Sequence, residues 1–303
     1  MIVCSVMDSL PSELVVNEIS RWLLQIDKQL LRRVNKKFND FFPYKQIKFN
    51  KTKINLVHLI KYKKLWNDKT THFLTKKGYL DCLKYAHQNR CHWDKKTTQY
   101  AAENGHIDCL KYAHENGCPW DEKTTICAAE YDNLDCLKYA HENGCPWDGE
   151  ITRQSALYGH LDCLKYAHEN GCPWSKFTTS YAAGNGHFDC LKYAHENSCP
   201  WNQLTTSSAA RNGYLDCLKY AHENGCPWEE ETIQYAVLGD YLDCLKYAHE
   251  NGCPWDEDTT SSAASKGYLD CLKYCHENGC PWDKETTKYA ASKGHLDCAE
   301  SVC

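Results

Sequence analysis

A tryptophan recurs every 27 residues along most of this chain, and this period constrains the fold more than any other feature of the sequence. The series runs from Trp66 to Trp282 without a slip, and two series of cysteines follow the same step. A fixed period of this length is typical of architectures in which each unit stacks on the next. We therefore divide the chain into eight complete units over residues 67–282 and a partial unit over 283–303.

Each unit has the pattern of two short helices. It reads approximately D-x-x-T-T-x-Y-A-A-x-x-G-H-L-D-C-L-K-Y-A-H-E-N-G-C-P-W, as in residues 94–120. We expect a first helix that begins near Thr97 or Thr98, residue types that cap helix N termini, and that stops at Gly105. The second helix should end at Gly117. Because so short a pair cannot bury its apolar face alone, the sequence predicts an all-α solenoid of about eight to nine helix-turn-helix repeats.

Composition argues against a disordered, a secreted or a membrane-spanning protein. Hydrophobic residues make up 42% and charged residues 25% of the chain, which is typical of a folded protein and unlike a disordered one. The start of the chain lacks the basic and apolar segments of a secretory signal, and no stretch has the roughly 18 apolar residues of a membrane helix. We therefore expect a cytoplasmic protein whose 21 cysteines are reduced.

The unit resembles the ankyrin repeat. Residues 97–118 read T-T-Q-Y-A-A-E-N-G-H-I-D-C-L-K-Y-A-H-E-N-G-C, and Cys109 and Leu110 stand where that family has paired valines. The family's unit has about 33 residues, so the resemblance implies ankyrin-like helix pairs with shortened fingers. The wording D-C-L-K-Y-A-H-E-N-G-C-P-W-D is similar to the ankyrin-type arrays of large DNA viruses of amoebae, which implies action in a host cytoplasm.

The amino-terminal segment lies outside the period and differs in charge. Residues 1–66 contain 13 Lys and Arg against 5 Asp and Glu, whereas residues 67–303 contain 22 against 35. Apolar stripes over residues 8–45 predict a small helical module, and residues 46–66 have the pattern of a degenerate capping repeat.

The helical module resembles an F-box. The family's pattern begins L-P-x-E-L, continues I-x-x-x-L and ends L-x-x-V-N-K-x-[WF], and residues 10–14, 19–23 and 31–38 match it, with Phe38 at the usual Trp position. The resemblance implies docking onto the small adaptor subunit of a cullin-type ubiquitin ligase. The docking residues would include Leu10, Pro11, Leu14, Ile19, Leu31 and Val34. The alternative is that these residues only cap the solenoid.

A Cys-x4-His-x3-Cys pattern, as in Cys109, His114 and Cys118, occurs repeatedly and suggests a zinc site. Geometry disfavours it, because at roughly 100° per residue Cys109 and His114 lie about 140° apart around one helix. A catalytic thiol is also disfavoured, since an active site is normally unique whereas these residues are copied. We expect buried, core-filling cysteines, no metal, no cofactor and no enzymatic activity.

Two features raise the possibility of nucleic-acid binding. The tryptophan series could stack on bases, and the stretch from Lys45 to Lys64 contains seven Lys and no acid. We favour packing of the tryptophans between units and a solvated lysine face, because the acidic array would repel a polyanion. We expect neither nucleic acid nor a membrane as a partner.

A target-binding surface is suggested by positions that differ among otherwise similar units. These positions lie before and along the first helix, at offsets of three and seven residues that share one helical face. Their apolar and Arg residues suit a protein partner. They are Arg153, Leu157, Tyr158, Phe177, Leu204, Arg211 and Leu238.

The sequence thus favours an adaptor that recruits a target to a ubiquitin ligase. The alternative function is a stand-alone binding or sequestering scaffold without a link to the ligase. The alternative explanation of the variable positions is unconstrained variation of an exposed surface.

Overall fold

The computed structural model describes residues 68–282 together with residues 286 and 288. These residues form sixteen α-helices and no strand over 68–282, so the prediction of an all-α repeat fold is confirmed. The predicted module at 8–45 and the capping repeat at 46–66 lie outside the described residues, as does the partial unit at 283–303 apart from Thr286 and Lys288.

The helices alternate between a first and a second helix in each of eight pairs. The first helices are α1 (Asp68–Lys76), α3 (Lys95–Glu103), α5 (Glu122–Glu130), α7 (Glu150–Tyr158), α9 (Thr178–Gly184), α11 (Gln203–Arg211), α13 (Glu230–Leu238) and α15 (Glu257–Lys266). The second helices are α2 (Leu80–Gln88), α4 (Ile107–Glu115), α6 (Leu134–Glu142), α8 (Leu161–Glu169), α10 (Phe188–Glu196), α12 (Leu215–Glu223), α14 (Leu242–Glu250) and α16 (Leu269–Glu277).

The first helix starts earlier than the sequence predicts. In α3 the N-cap is Asp94, whose carboxylate accepts a hydrogen bond from the Lys96 backbone N–H. Thr97 and Thr98, the expected caps, are instead buried within the helix. The prediction was wrong because Asp is also a strong N-cap residue, and because the threonines are used for packing.

The second helix ends where the sequence predicts. Helix α4 is followed by Asn116 and then by Gly117, which adopts φ +80°. The next residue, Cys118, donates its backbone N–H to the carbonyl of Ala113 at 2.9 Å. This is the Schellman arrangement, in which a left-handed residue lets the chain turn back and satisfy the last helical carbonyls.

The described chain divides into two compact units. One contains residues 68–74 and 79–92, and the other contains residues 75–78 and the chain from residue 93 onward. In the first unit, Leu74 of α1 and Leu83 of α2 are buried together with Cys82 and Ala86.

In the second unit, successive pairs stack in order. Helix α3 packs on α5 and α5 on α7, and the second helices follow the same succession, so the arrangement is that of an α-solenoid. The core includes one fully buried leucine from each second helix, such as Leu110, two fully buried residues from each first helix, mostly small, such as Ala101 and Ala102, and buried cysteines such as Cys109. Burial of each leucine stabilises the fold by about 1.5–3 kcal/mol. None of the helices in the described part of the chain has the length and apolarity to cross a lipid bilayer.

Candidate target-binding surface

Several residues that recur in most units hold the units together. Numbering the unit from Asp94 (position 1) to Trp120 (position 27), Thr98 occupies position 5. Its hydroxyl lies 2.8 Å from the Lys95 carbonyl oxygen and 3.2 Å from that of Pro119. A buried hydroxyl needs such partners, and here it ties the first helix to the loop that leaves the second.

A contact among His, Trp and Tyr joins neighbouring units. The His114 ring stacks on Trp120 with centroids 3.8 Å apart, and His114 Nδ1 lies 2.9 Å from the hydroxyl of Tyr139 in the next unit. The tryptophans are half-buried against the core, so packing accounts for the tryptophan period. The His–Tyr pair recurs at five further interfaces: His141–Tyr166, His168–Tyr193, His195–Tyr220, His222–Tyr247 and His249–Tyr274.

The cysteines fill the core and do not converge with the histidine on one centre. Cys109 is 1% exposed, and the Cys118 thiol donates to the Asp94 carbonyl oxygen at 3.3 Å. His114 is engaged with Tyr139. Burial raises the pKa of Cys118 to about 12, so this thiol stays protonated at neutral pH. Because the thiolate is the nucleophile and metal ligand, this environment suits a packing role.

The predicted target residues lie on the first helices of four consecutive pairs, and several are exposed. Tyr158 at the end of α7 is 47% exposed, Leu204 in α11 is 46% exposed, and Leu238 at the end of α13 is 40% exposed. Leu157 in α7 and Phe177, which precedes α9, are half-buried. Leu204 and Leu238 lie on first helices that pack on each other, so these two exposed side chains are on neighbouring helices.

The two predicted arginines are held by aromatic rings from the following unit. The half-buried Arg153 guanidinium forms a two-pronged ion pair with Glu150 and lies 5.4 Å from the centroid of the Tyr181 ring. The exposed Arg211 guanidinium lies 5.1 Å from the centroid of the Tyr235 ring. The ion pair with Glu150 and the Tyr181 ring together restrict the orientation of the Arg153 guanidinium.

Sequence reasoning missed three exposed tyrosines. Tyr131, at the C-cap of α5, is 51% exposed, and Tyr214 and Tyr241, both at unit position 13, are 36% and 37% exposed. The signal was available at position 13, where four of the eight complete units carry Tyr and the other four carry His or Asn. His187, for example, approaches the Leu157 carbonyl oxygen at 3.1 Å through Nε2.

A tyrosine at position 13 has a different environment. The Tyr214 ring lies against Gly186, and the Tyr241 ring lies against Gly213. More than a third of the surface of each of these two tyrosines faces solvent.

In comparisons with known proteins, no family model matches this chain and no curated protein matches it significantly. The resemblances to ankyrin repeats and to an F-box therefore stay predictions from the residues themselves. The six predicted ligase-docking residues, from Leu10 to Val34, lie outside the described residues.

Proposed function

We propose that this protein is a non-enzymatic adaptor that brings a target protein to a cullin-type ubiquitin ligase. The solenoid binds the target on the variable surface, defined as Arg153, Leu157, Tyr158, Phe177, Leu204, Arg211 and Leu238. The F-box-like segment at 8–45 binds the small adaptor subunit of the ligase.

One observation carries the target-binding part of the proposal. Several positions that repeat without change, such as those of Cys217 and Leu218 in α12, are fully buried. The exposed positions of the first helices vary, and they carry large apolar side chains at Leu204 and Leu238. Since stacking does not require these exposed apolar groups, contact with a partner is the function that they suit best.

The ligase part of the proposal is supported by the F-box pattern in the sequence. Its test is calorimetric titration of the full chain with a eukaryotic ligase adaptor subunit. Saturable binding by the wild type should be lost in the double variant Leu10→Asp/Pro11→Ala, with circular dichroism showing that the solenoid is still helical. Failure of the folded wild-type protein to bind would reject the ligase role for that adaptor.

The target part is tested by comparing three proteins as baits in a eukaryotic cell extract. The first is the wild type, and the second is Leu204→Ser/Leu238→Ser, which removes two exposed apolar groups. The third, Lys192→Ser/Lys273→Ser, alters exposed positions on second helices and is the matched control. Proteins retained by the wild type and the control but lost with the second bait would identify the target. Equal retention by all three would reject the variable surface as the binding site.

A further inference from the structure

The last complete pair differs from the others of the second unit at one buried position. Position 20 of the repeat is alanine in the preceding units, as in Ala221 and Ala248, but it is Cys275 in α16. Cys275 is 0% exposed, as are those alanines. Position 25 is a cysteine in every complete unit, and in this pair it is Cys280. Only in this pair of the solenoid do positions 20 and 25 therefore both carry a thiol.

The turn after α16 brings these two positions together. Gly279 adopts φ +78°, and the Cys280 backbone N–H donates to the Cys275 carbonyl oxygen at 2.9 Å. This is the Schellman turn, which also brings the two side chains into contact. From standard bond lengths, a hydrogen bond of this length limits the separation of the two Cα atoms to about 6.8 Å. Disulfides are formed by cysteines whose Cα atoms are about 4.4–6.8 Å apart.

The two thiols influence each other. A hydrogen bond with the Cys280 side chain is the largest cause that raises the pKa of the Cys275 thiol. The Cys280 thiol donates to the Asp256 carbonyl oxygen at 3.3 Å. Cys280 is 6% exposed and is therefore the member of the pair that a small solute reaches first. Cys271, one helical turn before Cys275, has a different partner, since its thiol faces the Asp240 carboxylate at 3.5 Å.

We propose that Cys275 and Cys280 are an oxidisable dithiol, which a peroxide converts into an intramolecular disulfide. The Cys280 thiol first loses its proton, and the resulting thiolate attacks one peroxide oxygen. The O–O bond breaks, and hydroxide leaves and takes the Cys280 proton, so the products are Cys280 sulfenic acid and one water. The Cys275 sulfur then attacks the Cys280 sulfur. The S–S bond forms, the S–O bond breaks, and hydroxide leaves and takes the Cys275 proton as a second water. Two thiols lose two electrons and one hydrogen peroxide gains them.

The resulting bond would close a six-residue loop around the turn that leaves the last complete pair. The hydrogen bond between the thiols and the burial of Cys275 raise the pKa of that thiol, so the reaction should be slow at neutral pH. Oxidation is then a response to sustained peroxide. It does not depend on the proposed adaptor function, because no target or ligase takes part.

The experiment uses the fully reduced, full-length protein, exposed to hydrogen peroxide under native conditions. After the exposure, N-ethylmaleimide in denaturant alkylates the remaining thiols. Trypsin then cleaves the chain, and the peptide masses are measured by mass spectrometry. Both cysteines fall in one tryptic peptide, residues 274–284, whereas Cys271 falls in the peptide 267–273. The proposal predicts a peptide 274–284 that is 2 Da lighter than the reduced form and carries no N-ethylmaleimide, while the Cys253 peptide, 247–266, stays fully alkylated.

Two variants serve as matched controls. Cys275→Ala restores the residue of the other pairs, so it should fold normally and leave Cys280 alkylated. Ala248→Cys should create the same pair with Cys253, and the peptide 247–266 should then lose 2 Da. Full alkylation of 274–284 in the wild type under peroxide would overturn the proposal. So would a disulfide that joins peptide 267–273 to 274–284.

Discussion

Raising the pH from 8 to 10 should strongly destabilise this protein, because its core is filled with thiols that cannot ionise in place. Burial raises the pKa of Cys163 and Cys226 to about 12, from an ordinary value of 9.0. Thirteen described cysteines share this value. The unfolded chain has no such restriction on thiol ionisation.

The sign of the effect follows from proton binding. Between pH 9 and 12 the unfolded thiols release protons that the folded thiols keep, so each thiol contributes stability that is complete below pH 9 and is lost as the pH rises toward 12. At pH 10 the ionisation of each thiol in the unfolded chain lowers the free energy of unfolding by about 1.4 kcal/mol. Proteins retain only about 0.05–0.15 kcal/mol of stability per residue. The loss summed over the thirteen thiols is therefore a large part of the total free energy of unfolding.

The assay is urea unfolding followed by far-ultraviolet circular dichroism, at several values from pH 7.5 to 10, with constant salt and a phosphine reductant. The urea midpoint should fall steeply above pH 9. In the variant Cys226→Ala/Cys253→Ala, the loss of unfolding free energy between pH 7.5 and 10 should be smaller by about 3 kcal/mol, since two of the thiols are gone. The same midpoint at pH 8 and pH 10 in the wild type would refute the reasoning.

Two further predictions concern the turns and the interfaces between units. Gly186→Ala should destabilise the protein by about 1–3 kcal/mol more than Gly225→Ala. Both residues have positive φ, but a Cβ at Gly186 would lie 2.4 Å from the Tyr214 ring, whereas none lies within 4 Å at Gly225. Equal losses in urea unfolding would contradict this contact. Tyr220→Phe removes the hydroxyl that lies 2.9 Å from His195 Nδ1, and should lower the free energy of unfolding by about 0.5–1.5 kcal/mol. An unchanged unfolding curve would show that this hydrogen bond does not stabilise the interface.

Much of the helical architecture could be predicted because each unit carries its own local signals. Gly105 and Gly117 both adopt positive φ, as a helix-ending glycine should. The start of the first helix could not be chosen from pattern alone, because Asp94, Thr97 and Thr98 are all competent caps. Burial of the two threonines decided the choice, and burial depends on the neighbouring unit.

The contacts between units were beyond sequence reasoning. His114 and Tyr139 are 25 residues apart, and only the stacking geometry brings the imidazole to the hydroxyl. The exposed surface was predicted in part. Variation among units indicated Leu204 and Leu238, whereas Tyr214 was missed because its position carries a packing residue, His187, one unit earlier.

The repeated contact among histidine, tryptophan and tyrosine allows the number of units in such a chain to change during evolution. Each interior unit supplies the His and Trp for the unit after it and the Tyr for the unit before it, so every unit presents the same two complementary ends. Deleting or duplicating a whole 27-residue segment should therefore rejoin matching ends without loss of an interface contact. Gene rearrangement in steps of one unit could then shorten, lengthen or reorder the row of variable residues while the scaffold stays folded.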